Sequence, residues 1–297
     1  MEAGTLTRSR APRAGLRLPG LGVGSGYGVV VLYLSLIVLL PLAAVGSEAF
    51  AGGLGTFWDQ VTSPLAAKSL KLTVVCSLIV VVINAIFGTI LAWLLVRDDF
   101  PGKGAVNAVI DLPFALPTIV ASLTLLTLYG NDSPLGIHLA ATRAAVVVAL
   151  MFVTLPFVVR AVQPLLLEMD REMEAAAASL GAGSFTIFRR IIFPNLLPGL
   201  AAGVALAFAR ALGEFGSVLL FAGGLPDTTV TSVFIRNQVE SGNDVGASAV
   251  SVVLLVASLL LLGVVSLIQR WAIRHDRSSS EFIPTIAKDV SGDGGAL

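Results

Sequence analysis

Six stretches of the chain are apolar at nearly every position: residues 29–45, 72–96, 106–128, 144–167, 196–221 and 247–268. A helix that is apolar on all sides has no face for water, and about 20 such residues span the hydrocarbon core of a bilayer. The pattern predicts an all-α membrane protein with six crossings. The first stretch follows a basic leader and has the outline of a signal peptide near "LAAVGSEAF". Its length, and the five spans behind it, favour an uncleaved crossing.

Lysine and arginine set the expected orientation. Twelve fall in segments on the N-terminal side and four, Lys68, Lys71, Arg143 and Arg236, on the other, which puts both termini in the cytoplasm. Residues 1–27 and 273–297 read as solvated cytoplasmic tails, the first with Gly at 20, 22, 24 and 26 and Gly28 at its edge, around a transmembrane domain of residues 28–272. The segment between Gly223 and Gly246, with Asp227, Arg236, Glu240 and Asp244, is the large outer loop.

One stretch departs from the pattern: "REMEAAAASLGAGSFTIFRRIIFPNLLPG", on the inner side between spans four and five. Its first part is rich in good helix formers and meets Gly181-Ala182-Gly183, where glycine supplies a left-handed stop. Ser184 is placed to cap a second short helix carrying Phe188, Ile191 and Ile192, expected to end at Pro194. Ala175, Ala176, Ala178 and Ser179 make a small-residue face that lets another backbone approach, while Phe188 and Ile191 offer knobs for a groove. An interfacial helix lying on lipid is the alternative reading.

Gly181, Ile191 ten positions on, and Pro194 resemble the cytoplasmic "EAA...G.........I.LP" loop of ABC importer permeases, with Phe193 at the usual Leu. Glu174 stands one position before the family's Glu, where this chain has Ala175. The stretches "LVRDDFPGK", "DLPFALPTIVASL", "LPFVVRAVQP", "EAAAASLGA" and "ARALGEFGSV" are similar to the T-type permease subunit of sulfate/thiosulfate ABC importers over residues 27–272. "ARALGEFG" is shared with molybdate permeases, which makes a molybdate/tungstate permease the runner-up.

The resemblance implies the six-helix type I importer permease fold. It implies a loop, 174–194, that seats in an ATPase subunit through Glu174, Ala175, Ala176, Ser179, Gly181, Phe188, Ile191 and Pro194. It also implies a second permease of similar fold, two ATP-binding subunits that hold ATP and Mg, and an extracytoplasmic sulfate-binding protein that meets the outer loop.

Charged residues are 13% of the chain against 56% hydrophobic, so an ionised group inside a span needs a reason. Arg210 and Glu214, four apart on span five, are expected to share a face, either as a structural ion pair or as part of an anion pathway. Arg160 is a pathway candidate that could equally snorkel, and Asp111 lies near the start of span three. Pro113 and Pro117 fall on one face of span three, and Pro156 and Pro164 on one face of span four, as kinks of pathway helices or of packing. Gly203, Gly213 and Gly216 suggest close helix contact.

The composition excludes other classes. One cysteine, Cys76, and two histidines leave no disulfide framework or metal cage, and no phosphate-cradling glycine motif occurs. The chain is expected to carry no cofactor and do no covalent chemistry. The competitor from another class is a proton-coupled secondary transporter using Arg210 and Glu214 as a relay, which leaves the loop without a purpose.

Overall fold

In the computed structural model, residues 23–280 are described. The chain forms two units, residues 1–47 and 48–297. The described part of the first is helical: α1 (Val23–Leu34) and α2 (Leu40–Ala49) are joined by a π turn over Ser35–Leu39, and Tyr27–Ala49 is long and apolar enough to cross a membrane.

The second unit begins with the short α3 (Gly53–Thr62) and the 34-residue α4 (Pro64–Arg97). Two helices, α5 (Lys103–Ala115) and α6 (Thr118–Tyr129), replace the expected third span. They are followed by α7 (Arg143–Glu168), α8 (Arg171–Ser179), α9 (Ser184–Ile187), α10 (Phe193–Leu212), α11 (Gly216–Leu219), α12 (Thr231–Glu240) and α13 (Asp244–Ser280). Thus α1 begins at Val23 and α13 continues past residue 272.

The centre of this unit is a three-helix packing of α4, α7 and α10, with α13 against α10 and α12 against α13. Small residues let the backbones meet, which matters in lipid, where no hydrophobic force drives helices together. A Cβ on Gly203 of α10 would lie 2.8 Å from Ala161 Cβ and 3.0 Å from Val158 Cα of α7. Across the α4–α7 seam, Asn84 Nδ2 donates to Thr154 Oγ1 at 2.9 Å and to the Met151 carbonyl at 3.3 Å.

Two expected spans are broken. The chain bends by 119° between α5 and α6. The cause is local: Pro117 excludes its predecessor from helical geometry, and Leu116 is extended at φ −84°, ψ 132°. Pro113 stays inside α5 while Pro117 caps α6, so the two prolines do not share one helix face. The fifth span ends at Leu212, the chain turns through Gly213–Phe215, and α11 follows.

The breaks lie against each other. A Cβ on Gly216 would come within 2.1 Å of Thr118 Oγ1, and Ser122 Oγ of α6 accepts from the Leu220 and Phe221 N–H groups at 3.2 and 3.0 Å. The first break thus brings α6 to where Ser122 accepts from backbone N–H groups that follow the second, away from water.

Candidate functional site

The polar loop forms a helical elbow. Asp170 caps α8, its carboxylate accepting from the Glu172 N–H at 2.8 Å. At the other end Gly181 takes φ +85°, its N–H donating to Ala178 O at 2.9 Å, while the Ala182 N–H reaches Ala177 O at 3.1 Å. These two bonds are a Schellman stop, and the left-handed residue it needs is the glycine. The cap of the next helix is Gly183, with Ser184 as the first helical residue.

That second helix does not end at Pro194. It runs from Ser184 to Leu212 as one 29-residue stretch, through a π turn over Phe188–Ile192 in which the Phe193 N–H donates to Phe188 O. Proline lacks a donor and clashes with the carbonyl four residues back. Ahead of Pro194 the ladder has widened to the i→i−5 pattern, which lets the helix continue.

Phe188 and Ile191 are not the exposed knobs expected from spacing. Phe188 packs edge-on to Trp93 at 6.1 Å, and both residues are half-buried. The freely exposed apolar side chains at the elbow are Leu180, 89% exposed, and Phe185, 75% exposed. Ala175, Ala176, Ala178 and Ser179 do form an open small-residue surface beside them.

Glu174 turns inward. It forms an ion pair with Arg97 at the end of α4, and these side chains are 22% and 9% exposed. The guanidinium lies over the Trp93 ring, 5.4 Å from its centre. Arg97, Trp93, Glu174 and Phe188 thus fasten the elbow to the end of α4. Sequence spacing carried no signal for this, because Arg97 and Glu174 are 77 positions apart. On the same side, Lys103 holds the Asp99 carboxyl below its ordinary range by hydrogen bond and charge, with a smaller pull from Arg171 of α8.

Asp111, Arg160, Arg210 and Glu214, the charged candidates within the spans, are paired. Arg160 Nε donates to Asp111 Oδ1 at 2.8 Å and its NH2 to Oδ2 at 2.5 Å, and the same guanidinium also donates to Gln163 Oε1 and Asn107 O. The two-pronged pair ties α7 to α5 and engages the guanidinium that was a pathway candidate.

Glu214 lies beyond the end of α10 rather than on it. Its Oε1 accepts from the Ser217 N–H at 2.8 Å, and the carboxylate pairs with Arg210. Glu214 is 2% exposed, so this carboxylate pins the α10–α11 break; the Arg210 side chain keeps a third of its surface. Among the described residues no group of His, Cys, Asp and Glu side chains could hold a metal ion.

Comparison with known proteins agrees with this architecture. Residues 84–275 match the model of the family described as binding-protein-dependent transport system inner membrane component, and the chain belongs to that family. It is 43% identical to the sulfate transport system permease protein CysT of Synechocystis sp., over 83% of this chain and 89% of that one. Identity to the protein of the same name from Escherichia coli is 40%, over 85% and 93%. Among solved structures, a chain of a bacterial alginate ABC transporter superposes with a TM-score of 0.70 at 15% identity, covering 83% of this chain and 93% of that one. A chain of the inward-facing MetNI methionine ABC transporter gives 0.56 at 20%, covering 70% and 96%. These last two likenesses concern the fold.

Proposed function

We propose that the chain is the inner-membrane permease subunit of an ATP-driven sulfate importer, and that the elbow at 171–194 receives the stroke of an ATPase partner. The identity to sulfate permeases across more than four-fifths of the chain supports the cargo. The exposed Leu180 and Phe185 beside a small-residue surface support the docking. ATP and Mg belong to the ATPase subunits; the permease contributes no catalytic group.

In this reading both termini and the elbow are cytoplasmic, a second permease of similar fold completes the pore, and two ATPase subunits each take one elbow. An extracytoplasmic sulfate-binding protein meets the opposite end, where α12 is docked by buried Thr231, Val233 and Phe234 and shows solvent its Arg236–Glu240 pair. Closure of the ATPases moves the elbows. Because Glu174 and Phe188 bind the elbow to α4, and the Ser184–Leu212 helix starts within it, the movement reaches two of the three central helices.

Co-purification and uptake test this together. The wild type should retain an ATPase subunit and support import of radiolabelled sulfate, inhibited by excess sulfate or thiosulfate more than by molybdate. Gly181→Asp, which forces a side chain into φ +85°, should lose the ATPase. Uptake by the chain alone under a pH gradient would refute the proposal.

A further inference from the structure

Positive residues are rare on the outer side of a membrane protein. Of the four expected there, three converge: Lys68 and Lys71 of α4 and Arg143 at the start of α7 line one cavity of about 450 Å³, with Asp227 as the only carboxylate. Its wall is apolar, from Leu72, Val75 and Ile79 among others. Lys68, Lys71, Leu72, Val75 and Ile79 recur at helical spacing and form one stripe of α4. Its lysines are at the opposite end of α4 from Arg97 and the elbow, Lys71 about 39 Å away at 1.5 Å per residue.

We infer that this cavity is an entry site for a divalent tetrahedral oxyanion, sulfate, in which the Asp227 carboxylate holds the place until the anion arrives. The inference rests on the importer reading above. Three cations and one carboxylate leave two positive charges, which a sulfate dianion neutralises. Asp227 already does what such an anion would do: its Oδ1 pairs with Lys68 and lies 3.7 Å from the Arg143 guanidinium, whose Nε also reaches the Asp227 carbonyl at 3.4 Å. Lys71 has no ion-pair partner among the described residues. Exposed pairs of this kind are weak and exchange readily, so an incoming anion replaces the carboxylate rather than meeting a closed site. The apolar wall strengthens attraction to the cations without adding hydrogen bonds that would delay departure, as a transit site requires.

The test uses the assembled importer in phosphatidylcholine nanodiscs, without nucleotide or binding protein, with radiolabelled sulfate as the probe and scintillation proximity as the readout. Lys71→Gln should weaken retention roughly tenfold, with Lys71→Arg restoring it, and Asp227→Asn should strengthen retention by a similar factor while slowing import. Thermal midpoints of the two Lys71 variants, expected unchanged, separate loss of the site from loss of the fold. Equal retention by wild type and both charge-removing variants overturns the proposal. The same titration in phosphatidylglycerol discs distinguishes sulfate from an anionic lipid headgroup as the occupant. Sulfate retention that persists there supports the proposal, whereas its abolition assigns the cluster to anionic lipid and overturns it. Failure of the wild type to import sulfate in cells refutes the importer reading alone, since the nanodisc titration, repeated with molybdate and phosphate, still decides whether the cavity takes an oxyanion.

Discussion

Replacing Glu174 with Ala separates an internal clamp from a partner contact. In the wild type the nearly buried Arg97 guanidinium has Glu174 as its ion-pair partner, the Trp93 face beneath it, and an Nε without a hydrogen-bond partner. Truncation leaves the charge with the ring alone. Removing one partner of a fully buried pair costs about 3–5 kcal/mol, and a cation over an aromatic ring recovers roughly 0.5–2. Glu174 retains some exposure, so water enters the gap, and the net loss is about 2 kcal/mol. For a protein of this size that lowers the thermal midpoint by roughly 4–8 °C. The assay is a double-mutant cycle on the purified protein with Glu174→Ala, Arg97→Leu and the pair. The double variant should be less destabilised than the sum of the singles by at least about 1 kcal/mol. Sulfate uptake should fall in Glu174→Ala although the ATPase subunit is still retained. If the midpoint stays in place and the ATPase is lost instead, Glu174 faces the partner and the clamp is wrong.

Other outcomes follow from the same geometry. Phe185→Ser should leave the thermal midpoint unchanged but release the ATPase on co-purification, whereas Phe188→Ala should cost on the order of 2 kcal/mol, less than a fully buried ring, because it fills the space beside Trp93. Gly203→Ala places a methyl against Ala161 and Val158 of α7 and should cost about 1–3 kcal/mol, read as a lowered midpoint in detergent. The Asp227 carboxyl is held below its ordinary range, first by the Lys68 hydrogen bond and then by the charges of Lys68 and Arg143. Its folded pKa is lower than its unfolded one, so the stabilisation from this ion pair is complete above about pH 5 and vanishes as pH falls through the depressed value. The midpoint difference between wild type and Asp227→Asn should therefore be flat from pH 8 to about 5 and shrink below it.

The six apolar runs were legible because a run of about 20 apolar residues has one stable fate in lipid. The breaks in the third and fifth were not, because hydropathy continues across Leu116-Pro117 and Gly213–Phe215 while helical backbone geometry does not, and a window average registers only the former. Pro194 misled in the opposite direction: a helix stop was expected, but the π turn at Phe188–Ile192 carries the helix through. The Gly181 stop could be read because its cause is local. The Arg97–Glu174 clamp and the grouping of Lys68, Lys71, Arg143 and Asp227 could not, since each joins positions far apart in the chain, and only packing brings them together. Arg210 and Glu214 show both cases at once: spacing gave the pair, and only the structure gave Glu214 its second bond to Ser217 at a helix break.

The unbroken Ser184–Leu212 helix has a mechanical consequence. At 1.5 Å per residue it is a stiff bar about 43 Å long. It meets α7 closely at Gly199 and again at Gly203, roughly half and two-thirds of the way along, and Gly203, where the opposing atoms include the α7 backbone at Val158 and Phe157, serves as a fulcrum. Tilting the bar by 5° about this point shifts Ser184 by about 2.5 Å and Leu212 by about 1 Å in the opposite sense. A broad stroke at the Phe185 end thus becomes a short, more forceful displacement where Arg210 and Glu214 hold the second break.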